Sequence, residues 1–186
     1  MGQLTDEEIA SKVQAGDTEA FGVLLERYTP KITRYARKFL SRIQDVEDLV
    51  QEVFLKAYAN ILSFDVKLKF SPWLYRIAHN ECVNALKKRQ RLPLSLFDFD
   101  ILFPHLLAKE TADLKTSQKE IKNVIDKYLD KLRFKYREVL VLYFFEEMSY
   151  REIAEVIRIP VSTVGVRLNR GKSVLKKMLN NEYMRH

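Results

Sequence analysis

One short stretch of the chain is crowded with carboxylates, at Asp45, Glu47, Asp48 and Glu52. Asp48 and Glu52 share a face on a helix, where two like charges repel unless a cation is supplied. Carboxylates can hold Mg²⁺, so a nuclease that uses Asp45, Asp48 and Glu52 is one hypothesis. A docking surface for a basic partner is the second. The third is a solvated acidic face, partly neutralised by Lys56 one helical turn beyond Glu52.

A second stretch, residues 149–177, is typical of two helices joined by a tight turn. Ser149 and Glu152 have the spacing of a capping box, in which each side chain satisfies a backbone N–H at a helix start. Pro160 ends this first helix, and apolar residues at helical spacing predict a second helix over 161–179.

Charge makes the second of these helices a candidate for reading DNA. Six Lys or Arg and no acid lie between Arg158 and Lys177. A helix in the major groove needs cations for phosphates and short polar groups for base edges. The alternative is a solvated basic helix. Arg158 occupies a turn position that often holds glycine, so some conformational cost is expected there. The candidate residues are Ser162, Thr163, Arg167, Asn169, Arg170 and Lys172.

A third stretch, residues 64–88, interleaves aromatic, amide and cationic side chains. Ser71 and Pro72 predict a helix start, with serine at the N-cap and proline at the first helical position. The mixture suits unpaired nucleic acid, because rings stack on bases and cations follow the backbone. Aromatic residues at helical spacing are also typical of a core. The candidates are Phe64, Phe70, Trp73, Tyr75, Arg76, Asn80, Asn84, Lys87 and Lys88.

No motif of the chain assembles an active site. There is no phosphate-cradling Gly-rich loop and no HExxH, and His79, His105 and His186 are too scattered for an obvious metal set. The single cysteine, Cys82, cannot form an intramolecular disulfide, fits a reducing compartment and is expected in the core. We therefore expect no catalytic residue, metal or cofactor.

Composition and periodicity predict an all-α protein. The chain is 47% hydrophobic, with 5 Gly and 5 Pro, which favours a folded, mostly helical structure. Thr5 with Glu8 predicts a capped first helix, and Pro30 is expected to kink or restart a later one. A polar, acidic N-terminus argues against a signal peptide, and no apolar run has the length of a membrane span. We expect a cytoplasmic protein.

Two helical domains and a linker are predicted, at 1–92, 93–114 and 115–186. The linker carries 1 Lys/Arg against 4 Asp/Glu, whereas the last segment carries 16 against 9. The positive charge therefore lies with the two-helix motif, which favours a nucleic-acid partner. The linker is rich in Leu, Ile and Phe, so we expect it to dock on its own domains or on a partner.

Taken in order, these pieces resemble bacterial sigma factors of the extracytoplasmic-function group over nearly the whole chain. The stretches that carry the resemblance are AGDTEAFGVLLERY, DVEDLVQEVFLKAYANI, FSPWLYRIAHNECVNALKK and YREVLVLYFFEEMSYREIAEVIRIPVSTVGVRLNRGKSVLKK. The resemblance implies two helical domains, the second with a helix-turn-helix, and recognition of DNA without catalysis.

In this family the first domain binds the β′ clamp helices of core RNA polymerase and captures the melted −10 promoter element. The resemblance implies −10 contacts by residues 64–88, with a base contact by Asn80. It places polymerase docking on Asp45, Asp48, Leu49, Gln51, Glu52 and Phe54.

The second domain of this family reads the −35 element as duplex. The family commonly has P-V-G-T-V-[KR]-S-R in the reader helix, where this chain has Gly165 and Val166 in place of the usual cation and hydroxyl. Base preference at these positions is therefore expected to differ, while Arg167, Arg170 and Lys172 keep the phosphate-binding charges. Many members are inhibited by an anti-sigma factor, so such a partner is expected.

Two other classes remain as alternatives. A stand-alone helix-turn-helix regulator would bind duplex DNA by itself and would have no use for the Asp48 and Glu52 face. A nuclease or recombinase would need divalent metal and would lose activity with Asp48→Ala.

Overall fold

The computed structural model describes residues 4–88 and 118–183, and within these ranges it contains α-helices and short 3₁₀ turns but no strand. The all-α prediction is confirmed. The predicted linker, 93–114, lies outside the described residues. The chain divides into two compact units, built chiefly from residues before and after this gap.

The first unit contains four α-helices, and the sequence explains most of their ends. The Thr5 and Glu8 capping box is present, and Gly16 follows the first helix with φ 103°. Asp17 caps a 3₁₀ turn that precedes the second α-helix. The helices are α1 (Asp6–Gln14), α2 (Phe21–Arg37), α3 (Ile43–Ala59) and α4 (Phe70–Lys88).

Helix α2 passes through the centre of this unit. It runs without interruption through Pro30, whose ring is exposed, so the predicted restart is wrong. Leu25 is 43% exposed and is not part of the buried side of this helix. The side chains that α2 buries lie at helical spacing and include Leu24, Tyr28, Ile32 and Tyr35, which are 0–2% exposed.

Helix α4 begins two residues earlier than the sequence predicts, at Phe70 rather than Pro72. Ser71 lies inside the helix rather than at its N-cap. The backbone N–H of Phe70, at the first helical position, donates to Glu7 Oε1 of α1 at 2.9 Å. The N-terminus of α4 is therefore satisfied by a side chain distant in sequence, which local pattern alone does not reveal.

The second unit contains four α-helices among the described residues, and the predicted two-helix motif is formed by the last two. The capping box of Ser149 and Glu152 is present, and Arg158 has a left-handed conformation with φ 55°. The last helix extends beyond the predicted end at residue 179. The helices are α5 (Gln118–Tyr128), α6 (Phe134–Phe144), α7 (Tyr150–Ile157) and α8 (Val161–Tyr183). Their core includes Ile125, Val139, Leu140, Leu142, Ile153, Val164 and Leu168, each 0% exposed.

Candidate partner and nucleic-acid interfaces

Helix α3 exposes only part of the predicted docking set. Asp48, Gln51 and Glu52 are exposed, whereas Asp45 is half-buried. Leu49 and Phe54 are 5% and 6% exposed, so they belong to the core and cannot contact a partner in this conformation.

Sequence reasoning missed Leu55, which is 67% exposed. It follows Asp48, Gln51 and Glu52 at i+7, i+4 and i+3, and so shares their face. We call these four residues the acidic face. No sequence pattern pointed to Leu55, because its exposure depends on which helices cover α3. An exposed leucine beside polar groups is typical of a surface used for protein contact.

Lys56 neutralises part of this face, as predicted. Its Nζ lies 3.1 Å from Glu52 Oε1 on the same helix and 2.8 Å from Glu81 Oε1 on α4. Hydrogen bonds to Glu81 and then Glu52 raise the pKa of Lys56 above its ordinary value. Among the described residues no group of three His, Cys, Asp or Glu is placed to hold a metal ion.

The aromatic residues of the third stretch are mostly internal, which favours the core alternative over the predicted stacking on bases. Phe64, Phe70 and Trp73 form a triangle with ring centroids 5.2–5.4 Å apart. Phe64 is 4% and Phe70 1% exposed, while Trp73 is half-buried at the edge of the triangle. Tyr75 is 2% exposed and packs edge-on against Tyr35 at 5.4 Å. Burial of their large apolar area explains this arrangement, so Phe64, Phe70 and Tyr75 support the site rather than stack on bases.

The polar candidates of the same stretch do reach the surface. Residues 76, 80 and 84 are four apart along α4, and 87 and 88 lie three and four positions after 84, which places all five on one side of the helix. We call this set the α4 stripe. Arg76 is half-buried, and the others are exposed: Asn80, Asn84, Lys87 and Lys88. The stripe offers two amides and three cations, a combination that suits the bases and phosphates of an unpaired strand.

Two of the predicted DNA-contacting cations of α8 are used inside the second unit. Arg167 Nη1 donates to Glu138 Oε1 of α6 at 2.5 Å, and the Glu138 side chain is 6% exposed. Burial raises the pKa of Glu138 to about 8, and the guanidinium of Arg167 opposes this rise. Lys172 Nζ lies 5.5–5.6 Å from the ring centroids of Phe144 and Tyr143. The prediction that Arg167 is open to phosphate is therefore corrected, because a buried carboxylate holds it.

The remaining candidates of α8 form a consistent surface. We call Ser162, Thr163, Val166, Asn169 and Arg170 the reader face, since their spacing places them on one side of the helix. Ser162 and Asn169 are exposed and the other three are half-buried. Gly165 lies beside this face, and a Cβ at Gly165 would lie 3.5 Å from Tyr150 Cε2, an ordinary contact.

The chain has two helical units, and the second ends in a helix-turn-helix with a polar reader face. This arrangement is typical of a protein that binds nucleic acid, and the acidic face of α3 is typical of one that also binds a protein partner. The family description for Sigma-70 region 2 matches residues 24–92, and that for Sigma-70 region 4 matches residues 122–175. The chain is also similar to the ECF RNA polymerase sigma factor SigW of Bacillus subtilis, with 36% identity over 91% of this chain and 94% of that protein. The chain therefore belongs to the ECF RNA polymerase sigma factors. It is an alternative sigma factor and not an enzyme.

Two solved structures share the fold over most of the chain. CnrH, in complex with the cytosolic domain of CnrY, has a TM-score of 0.70 at 26% identity, over 95% of this chain and 97% of that one. The sigma factor RpoE of Bartonella quintana, in complex with the anti-sigma factor NepR, has a TM-score of 0.63 at 26% identity, over 86% and 96%.

Within residues 4–88 and 118–183, no helix is long and apolar enough to cross a membrane.

Proposed function

We propose that the acidic face of α3 docks this sigma factor on the β′ clamp helices of core RNA polymerase. The observation that carries this proposal is the exposure of Asp48, Gln51, Glu52 and Leu55 on one side of a helix. An exposed apolar side chain surrounded by polar groups has the composition of a protein interface. Carboxylates at its edge favour a basic partner.

The α4 stripe is proposed to hold the melted −10 strand. Asn80 and Asn84 are exposed amides that can bond base edges, and Lys87 and Lys88 can follow the phosphates. The aromatic triangle behind them fixes the N-terminal end of α4 by packing. In this proposal Phe64, Phe70 and Tyr75 contact protein, and Trp73 alone of the predicted aromatic residues keeps part of its ring accessible.

The reader face of α8 is proposed to contact the −35 element as duplex. Ser162 and Thr163 lie at the N-terminus of α8, the end that helix-turn-helix proteins present to base edges. Val166 offers a methyl-rich surface rather than a hydroxyl, which favours apolar contact with a thymine methyl. Arg170 supplies phosphate contact, while Arg167 keeps α8 on α6.

The chain is thus proposed to act as two modules, 1–92 and 115–186, joined by the segment 93–114, in the cytoplasm. An anti-sigma partner is proposed as well, because RpoE of Bartonella quintana was solved with one at 26% identity to this chain.

Charge reversal on the acidic face tests the docking. Asp48→Lys is expected to abolish capture of core RNA polymerase and promoter-dependent transcription, because it places a cation against a basic partner. Glu26→Lys, at an exposed position of α2, is the matched control and is expected to behave as the wild type. Capture of polymerase by Asp48→Lys at the wild-type level would contradict the docking site. Failure of the folded wild type to bind polymerase would contradict the function.

A further inference from the structure

The segment between α3 and α4, which we call the 61–70 loop, is attached to α1 at both ends. Gln14 Nε2 donates to two of its backbone carbonyl oxygens, those of Ile61 and Phe64, each at 2.7 Å. At the other end Glu7 Oε1 accepts from the N–H of Phe70 at 2.9 Å. These three hydrogen bonds join residues 47 to 63 positions apart, and none of the sequence patterns pointed to them.

Between these attachments the loop has its own turn. The N–H of Leu68 donates to the Asp65 carbonyl at 2.9 Å, and the N–H of Lys67 donates to Asp65 Oδ1 at 3.0 Å. The outer side of the loop remains open, since Lys67 is exposed and Leu62 and Leu68 are 75% and 61% exposed. The loop is therefore held from the inside while its outer surface is accessible.

We propose that Gln14 and Glu7 are positioning residues that hold the 61–70 loop in the conformation that contacts the unpaired promoter strand beside the α4 stripe. This inference rests on the proposed −10 function of α4. Both attachments belong to α1, which contributes no residue to the α4 stripe. A loop released from α1 would populate the binding-competent conformation only part of the time, and the apparent affinity for the strand would fall by that fraction.

Donation of hydrogen bonds, rather than packing, is the specific role of Gln14. Gln14→Glu keeps the shape of the side chain but replaces the donor by a carboxylate that faces two carbonyl oxygens. Gln14→Lys keeps a donor on a chain of similar length. If packing alone mattered, the glutamate would be the better replacement. If hydrogen-bond donation matters, Gln14→Lys would preserve strand binding better than Gln14→Glu.

The test uses the full chain assembled with core RNA polymerase. The probes are the promoter duplex that the wild-type holoenzyme selects from a random-sequence library, and the fluorescein-labelled single strand of its −10 segment. Gln14→Glu is expected to weaken single-strand binding roughly tenfold, and Gln14→Lys by no more than about threefold, as the competent fraction falls. Core polymerase binding and the affinity for the duplex −35 segment are expected to remain unchanged in both.

Equal single-strand affinity for Gln14→Glu and the wild type would overturn the inference, as would equal losses for Gln14→Glu and Gln14→Lys. Glu7→Ala, which removes only the acceptor for the Phe70 N–H, gives a second measurement if Gln14→Glu does not fold, with an expected loss of about threefold. If the Glu7→Ala variant then bound the single strand as tightly as the wild type, the inference would be overturned. A wild-type holoenzyme that selects no promoter, or does not bind the strand, would instead refute the proposed function.

Discussion

The two units differ in which predicted contact residues prove to be structural. In the first unit these are aromatic residues, with Phe64, Phe70 and Tyr75 in the core and the amides and lysines outside. In the second unit they are cations, with Arg167 on Glu138 and Lys172 over aromatic rings. Aromatic rings in the first unit and cations in the second therefore serve packing within their own units, although the sequence predicts both as nucleic-acid contacts.

Truncation of a buried ring is expected to give the largest effect. Phe70→Ala removes a side chain that is 1% exposed and touches Tyr28, Phe64 and Trp73, so we expect a loss of about 4 kcal/mol in unfolding free energy. Chemical denaturation measures this loss. Asn80→Ala is the control, with a change within about 0.5 kcal/mol and a loss of promoter opening. If Phe70→Ala kept its stability and bound the single strand weakly, Phe70 would be a strand contact rather than a core residue.

Loss of the buried cation is expected to come next. Arg167→Ala removes the guanidinium that donates to the buried Glu138 carboxyl inside the second unit, and we expect a destabilisation of about 2 kcal/mol. Arg170→Ala, one helical turn away on the reader face, is expected to reduce duplex affinity and its salt dependence with little change in stability. Denaturation and binding in a salt series distinguish the two. If Arg167→Ala kept full stability and lost DNA affinity, Arg167 would be a phosphate contact after all.

The same carboxyl predicts a pH dependence. Burial raises the pKa of Glu138 to about 8 in the folded chain. A raised pKa means that the stability from this group is present below the unfolded pKa and is lost as the pH rises through the folded value. We therefore expect the unfolding temperature to fall between about pH 4.5 and about pH 8, and to fall less in Glu138→Gln. Parallel pH profiles for both proteins would contradict the assignment.

Two glycines of α8 give the smallest predicted effects, with opposite signs. A Cβ at Gly171 would lie 2.9 Å from Leu140 Cδ1, and Leu140 is fully buried, so Gly171→Ala is expected to destabilise by about 1 kcal/mol. A Cβ at Gly165 meets only an ordinary contact with Tyr150, so Gly165→Ala is expected to stabilise by about 1 kcal/mol through helix propensity. Chemical denaturation of both variants measures the two changes in unfolding free energy. If both changes had the same sign, the packing argument would be wrong.

What the sequence could predict follows from the distance over which each interaction acts. Residues three or four positions apart predict both capping boxes, the end of α7 and the fold class, and these predictions are confirmed. The start of α4 was misplaced because its N-terminal N–H is satisfied by Glu7, 63 residues away. Arg167 was misassigned for the same reason, since Glu138 is 29 residues earlier and gives no local signal. The exposure of Leu55 depends on which helices cover α3, and that is a tertiary property.

Lys56 has a consequence for the speed of assembly. Its charge sits between Glu52 and Glu81, so part of the negative potential of the acidic face is cancelled before a partner approaches. Electrostatic attraction raises association rates in proportion to the field that extends beyond the surface, and that field is the part that ions in solution screen. We therefore expect low ionic strength to accelerate the encounter with a basic surface less than it would if Asp48 and Glu52 were uncompensated. High ionic strength is expected to slow the encounter less, for the same reason. Once the surfaces meet, Lys56 can turn wholly to Glu81 and release Glu52 to the partner.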